Sequence, residues 1–279
     1  MNDFVCKYSR AYACAETTKM GATTTATTPR QPGDDLVFKA ASRVDLIADI
    51  EQCLELSANC SKGPNGPISN WDVSAVVDMQ FLFCGDLGNE NLYVSGAQRF
   101  NGNISKWSVS GVTNMRSMFR EAKAFNGNLS DWDVSRVTDM RSMFLKAHAF
   151  NGNISKWDVG NVTDMHSMFR KASAFNGNIS NWDVANVTDM RSMFYDAVVF
   201  DIDISKWNVS RVTKMGAMFL GAKSFSQTLC GAWVVSEADK NDIFKNSNGK
   251  MCSSAFPFMN TFAHSHTRMY VLRVYVHIT

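Results

Sequence analysis

The sequence predicts an α/β repeat fold: a solenoid of stacked strand–turn–short-helix units with a helix closing its N-terminal end. Three observations predict it. Trp107, Trp132, Trp157, Trp182 and Trp207 are each 25 residues apart, and Trp71 and Trp233 extend the series across an insertion and a one-residue shift. The phrase that carries them, FNGNISKWDVGNVTDMHSMFRKASA from Phe150, runs without a gap in five copies from Phe100 to Ser224. Within each copy the near-constant positions are mostly apolar: Phe125, Leu129, Trp132, Val134, Val137, Met140, Met143, Phe144 and Ala147 in one of them. A fixed period of this length marks identical supersecondary units stacked on one another, not a single globular core.

Each element of the unit has its own signal. Met140, Met143, Phe144, Ala147 and Phe150 fall at offsets 0, 3, 4, 7 and 10, one face of a short helix, with Ser142 as a local cap. Trp132, Val134 and Thr138 suit an extended, pleated surface. Asn126-Gly127-Asn128 reads as a turn in which glycine permits positive φ. One unit cannot stand alone. Its nine apolar side chains contribute roughly 1.5–3 kcal/mol each when buried, against roughly 1–2 kcal/mol per residue for ordering 25 residues of backbone. Neighbours must therefore cover both faces, and the Phe, Trp and Met columns are read as core.

These residues resemble the BspA-like leucine-rich-repeat surface proteins, in the branch carrying F-N-x-x-I-S-x-W-D-V-S-x-V-T-x-M-x-x-M-F. The match covers roughly Pro67 to Cys252, about two thirds of the chain. The resemblance implies a leucine-rich-repeat-like right-handed solenoid, secretion or surface display, and binding of other macromolecules. It brings no catalytic residues. Val199–Asp201, Ser108 and Asn208 depart from the phrase, and GDLGNENLYVSG, residues 85–96, interrupts the first copy.

The chain divides accordingly. Residues 1–35 are a Thr-rich leader, read as unfolded. Residues 36–62 form a helical cap, with Leu36, Val37, Leu46, Ile47, Ile50, Leu54 and Leu56 as its stripe over 36–57. Asp34 or Asp35 caps that helix, or Ser42 starts a shorter one. The solenoid spans 63–252, with regular units over 100–224 and a degenerate last unit over 225–252. Residues 253–279 contain no acid and end in MYVLRVYVHIT, too short and too interrupted by Arg273 and His277 for a membrane helix. An accessory strand, an unfolded tail and a misassigned gene end all remain open readings of this stretch.

The seven cysteines avoid the regular units. Cys6 and Cys14 lie in the leader, Cys53 and Cys60 in the cap, Cys84 beside the insertion, and Cys230 and Cys252 in the last unit. This suits disulfides that staple the ends, with Cys230–Cys252 the best pair; buried free thiols are the alternative. Cys53 and Cys60 can pair only if the helix ends near Leu56, since seven residues of unbroken helix separate them by about 10 Å. MNDFVCKYSR shows no ordinary signal peptide, so the extracellular or cell-surface location rests on the resemblance alone. Eight N-x-Ser/Thr sequons are mostly echoes of the repeat.

Chemistry would need a constellation that breaks the repeat. His148 and His166 are single variants, and His264-x-His266 is a poor metal pair. The Asp133, Asp158 and Asp183 column fits calcium less well than side-chain bonds to turn backbone, because Ser108 and Asn208 end it. No catalytic, cofactor-binding or metal residue is assigned. Residues 100–224 carry 15 Lys/Arg and 11 Asp/Glu, net +4, too balanced for nucleic acid. The expected partner is a protein or a glycan. Its candidate surface comprises Lys106, Lys156 and Lys206 in the slot before Trp, the basic column Arg116, Arg141 and Arg191, and the variable slot holding Arg170 and Tyr195. A purely structural array without a defined ligand is the alternative.

Overall fold

The computed structural model describes residues 38–85 and 94–253. The leader 1–35 with Cys6 and Cys14, the helix start proposed at Leu36 and Val37 with its Asp34 or Asp35 cap, most of the insertion, and the tail with His264 and His266 lie outside the described residues.

The repeated phrase folds into coils that repeat their contacts one period later. Parallel bridges join Asp78, Asn114, Asp139, Asp164, Asp189, Lys214 and Asp239 in one column. Beside it, the amides of Thr138, Thr163, Thr188 and Thr213 each donate to the threonine carbonyl one coil earlier, at 2.9 Å. On another side the asparagines form a side-chain ladder: the amides of Asn126, Asn151 and Asn176 donate to the Oδ1 of Asn101, Asn126 and Asn151, at 2.9 Å.

The short helix expected over Met140–Ala147 is replaced by tandem turns. The reason is a division of backbone donors. Met140, Ser142, Phe144 and Lys146 donate to the carbonyls of Asp164, His166, Met168 and Arg170 on the next coil, at 2.8–3.1 Å. Met143, Leu145 and Ala147 donate three residues back, to Met140, Ser142 and Phe144, at 3.0–3.2 Å. An α-helix needs every amide for the carbonyl four residues earlier, and here half are committed to the neighbouring coil. Tandem turns also return every third or fourth residue to the same side, so they mimic helical spacing in the sequence. Ser142 lies in these turns and not at a helix start; it takes φ 55°, and Lys146 takes φ 58°. The extended run around Trp132 is likewise reduced to turns and the single bridge residue Asp139.

The glycine of Asn126-Gly127-Asn128 also has a different reason from the one expected, since its φ is not positive. A Cβ on Gly127 would lie 2.9 Å from the Phe125 ring and 3.6 Å from the Gly102 carbonyl. The coil's own Phe125 ring folded against the turn, not a positive φ, calls for glycine there.

The core is a set of columns. Phe119, Phe144, Phe169, Phe194 and Phe219 stack at 5.5–5.7 Å between centroids. Phe125, Phe150, Phe175, Phe200 and Phe225 stack at 5.9–6.1 Å, and the two columns interleave at 3.8–4.1 Å. Trp132, Trp157, Trp182 and Trp207 are buried, and each indole donates to the carbonyl 28 residues earlier, at 2.9–3.2 Å. This answers the rule that a buried indole N–H needs a partner.

The insertion leaves the stack intact. Met79, Phe81, Phe83 and Gly85 donate to Asn114, Arg116, Met118 and Arg120, as later coils do, and Phe83 stacks on Phe100 at 4.2 Å. Helix α1, Arg43–Leu56, closes the N-terminal end. It starts at the Ser42 cap, whose hydroxyl accepts the Asp45 amide, and buries Leu46, Ile50, Cys53 and Leu54. Its end at Leu56 brings the Cα atoms of Cys53 and Cys60 to 5.1 Å, and the two are bridged. At the other end strand β1, Thr228–Leu229, pairs in parallel with β2, Lys250–Met251, around the short helix α2, Ala232–Val235. A Cys230–Cys252 bridge ties the same two levels, with Cα atoms 5.0 Å apart.

Candidate binding surface

Alternation around each coil decides what reaches solvent. In Ile154-Ser155-Lys156-Trp157-Asp158-Val159, the isoleucine, tryptophan and valine point inward, leaving Lys156 and Asp158 exposed. Lys106 and Lys206 are exposed in the same way. No hydrogen bond or ion pair engages these three lysines among the described residues. Asp133, Asp158 and Asp183 each accept the amide two residues on, from Ser135, Gly160 and Ala185, at 3.0–3.1 Å. For Asp133 the hydroxyl and amide of Ser135 hold the carboxyl below its ordinary range. The column is thus built from local turns, as side-chain capping of backbone allows.

The basic and acidic columns interlock. Arg141 contacts Asp139 at 2.5 Å and Asp164 at 3.5 Å. Arg191 contacts Asp189 at 2.6 Å, and Lys214 approaches the same carboxylate at 3.8 Å. Hydrogen bonds from Arg141 and Arg191 to their aspartates raise both guanidinium pKa values. Burial pushes the Asp164 carboxyl upward. Burial also acts on Asp189, but the bonds from Arg191 outweigh it and hold that carboxyl below its usual range. Burial lowers the His166 imidazole between them. Arg116 is exposed beyond this lattice, with its guanidinium 5.9 Å from the Phe81 ring centroid.

The variable slot is the one place where the candidate residues meet across coils. The Arg170 guanidinium lies over the Tyr195 ring, 4.4 Å from its centroid, and Lys171 lies 6.0 Å from the same ring. All three are half-buried. A neighbouring level of the slot is closed differently: Glu121 is buried and paired with Lys146 and Lys123. This buried carboxylate, the asparagine ladder and the left-handed residues were not read from the sequence. The ladder had a signal in the asparagine repeating at 101, 126, 151 and 176. A groove of about 590 Å³ runs along the threonine column beside Asn161, Asn186 and Arg211.

Cys84 is buried and unbridged, and burial pushes its thiol up to about 12. Among the described residues no cluster of three or more His, Cys, Asp or Glu is placed to hold a metal ion. None of their helices is long and apolar enough to cross a membrane.

Neither a curated protein nor a solved structure matches the chain. A family model does, twice in tandem, at residues 51–161 and 150–254. The two matches meet inside the regular copies and together span most of the chain, as expected when the family's unit is itself built of repeats. The protein therefore belongs to the family described as Mycoplasma protein of unknown function, DUF285.

Proposed function

We propose that this protein is a non-enzymatic binding scaffold of the BspA-like kind, a leucine-rich-repeat-like right-handed solenoid displayed outside the cell. Its partner is a protein or a glycan. The observation that carries this reading is the Arg170–Tyr195–Lys171 cluster, a cation–aromatic patch assembled from two coils at the variable slot. Arginine and tyrosine are enriched where binding energy concentrates, and a rigid array of ladders holds them without an entropic cost of ordering at the moment of binding. The separate lysine column at 106, 156 and 206 supplies charge around it. A structural array without a defined ligand is the competing reading; the internally neutralised Arg141–Asp139 and Arg191–Asp189 lattice favours it for that face.

The test is capture. The immobilised protein is presented with a panel of extracellular-matrix proteins and with a glycan array. One dominant partner, lost in Arg170→Ala/Tyr195→Ala but kept in Arg141→Ala, supports the scaffold reading. Weak capture of many partners, indifferent to both variants, supports the structural array.

A further inference from the structure

Thr163, Thr188 and Thr213 are exposed, yet their backbone is already spent. Each amide donates to the threonine carbonyl one coil earlier at 2.9 Å, and each hydroxyl donates to that same carbonyl at 3.1–3.2 Å. A carbonyl can only accept, so each hydroxyl has given its proton and keeps its oxygen as an acceptor. The column therefore offers a ligand a row of fixed acceptors and no backbone edge for an added strand. Beside it the Nδ2 groups of Asn161 and Asn186 donate to Ser135 and Gly160, both at 2.7 Å, and Arg211 Nη1 donates to Asn186 Oδ1 at 2.6 Å. These six residues line the groove of about 590 Å³, across three successive coils. Among the described residues that line it, Arg211 is the one charged side chain. Among the described residues, too, only Nη1 of its guanidinium is bonded, so an incoming carboxylate can be met through the other nitrogens.

We propose that this groove binds a linear acidic glycan, one sugar ring per coil, with a sugar carboxylate on Arg211. Hydrogen-bonded coils lie about 4.8 Å apart, which is also the rise of one ring in an extended, equatorially linked pyranose chain. Ring hydroxyls supply the donors that the threonine oxygens lack. A peptide strand would need backbone partners that the threonine ladder has already used. Past Thr213 the groove meets a second hollow of about 450 Å³, which shares Ser210 and Thr213 and is walled by Ala232, Val235 and Ala238. Val235 of α2 is 78% exposed, and the regular coils have no helix at that place. The acidic end of the glycan therefore has an apolar shelf for the carbon face of its ring, which fixes the direction of the chain. The site is separate from the Arg170–Tyr195 patch and does not depend on it.

Calorimetric titration of the full chain tests this, with hyaluronan tetrasaccharide as an acidic linear glycan and chitotetraose as a neutral one. The acidic glycan should bind more tightly. Arg211→Ala should weaken it at least about 10-fold, the scale of one lost hydrogen bond to a charged group, and leave chitotetraose unchanged. Thr188→Val keeps the β-branched shape, removes one acceptor and should weaken both. Arg211 is exposed, so its variant carries the test even if Thr188→Val unfolds. Arg170→Ala/Tyr195→Ala should change neither titration. Absence of binding by both glycans overturns the proposal, as does binding indifferent to Arg211→Ala and Thr188→Val. Glycan binding lost in Arg170→Ala/Tyr195→Ala but kept in Arg211→Ala overturns this site while leaving the scaffold reading in place. Tighter binding of hexaglutamate than of the tetrasaccharide overturns it in favour of an acidic peptide.

Discussion

The coil from Phe150 to Ala174 and the coil from Phe225 to Cys252 descend from one phrase but are held by different forces. The first has a neighbour on both sides. Its Trp157 donates to Leu129 at 2.9 Å, its Asn151 both receives and gives a ladder bond, and its rings stack above and below. The second has one regular neighbour. Its Trp233, displaced by one residue, is fully buried, and its indole N–H has no partner among the described residues. Where a further phenylalanine would stack, Gly249 sits so close that a Cβ would lie 2.6 Å from the Phe225 ring. A disulfide joins its levels. The lesson is that self-complementary ladders suffice in the interior of the array, while this end adds a covalent closure.

The largest effect that could break this comparison is at Trp157. Trp157→Ala should destabilise by about 3–5 kcal/mol, as truncation of a buried aromatic does, whereas the exposed Lys156→Ala should stay within about 0.5 kcal/mol. Chemical denaturation of the two variants checks this, and equal midpoints would place the tryptophan column outside the core.

Next comes the bridge. It closes a separation of 22 residues, for which chain entropy gives about 3 kcal/mol. Cys252→Ser should therefore lower the melting temperature and loosen β2 first, leaving amide protection in residues 138–147 unchanged. Uniform loss of protection along the stack would show that the end is not a separate unit.

A finer contrast uses one substitution at two places. Trp157→Phe leaves the buried Leu129 carbonyl without its donor and should cost about 1–3 kcal/mol beyond the change in packing. Trp233→Phe removes a donor that has no partner among the described residues and should cost distinctly less. Matching losses would mean that the Trp233 indole finds a partner in solution.

The smallest effects concern Asp164 and Asp189, neighbours in one column. The folded pKa of Asp189 is lowered, so its contribution is present above the carboxylate's unfolded pKa and is lost as pH falls through the folded value. Asp164 is raised, so folding disfavours its ionised form and stability declines as pH rises from the unfolded value through the folded one. At neutral pH Asp189→Asn should therefore destabilise and Asp164→Asn should be neutral or stabilising, read from urea midpoints at pH 3 and pH 7.

The period and the buried columns were legible because burial leaves the same apolar residue in every copy, and the cap because Leu46, Ile50 and Leu54 recur at helical spacing. The local structure was not. Tandem turns and a helix both bring residues three and four apart to one side, so Met140, Met143, Phe144 and Ala147 fit either. What separates them is the left-handed φ at Ser142 and Lys146, and serine and lysine do not announce it as glycine would. The pairing of Cys53 with Cys60 hinged on where the helix stops, which spacing states only as a condition. The Arg170–Tyr195 contact spans 25 residues at a slot with no consensus, so only coil register brings it to light.

The central claim is that the molecule is a linear stack in which one interior coil is dispensable and the N-terminal cap is not. Deleting Phe150–Ala174 joins Ala149 to Phe175 in register, and deleting residues 36–57 uncovers the side of the first coil that α1 packs against. Size-exclusion chromatography and thermal melts on the two deletions give the most direct measurement. The account predicts a soluble, cooperative, shorter monomer from the first and aggregation from the second. Aggregation of the interior deletion beside a monomeric, cooperative cap deletion would contradict it.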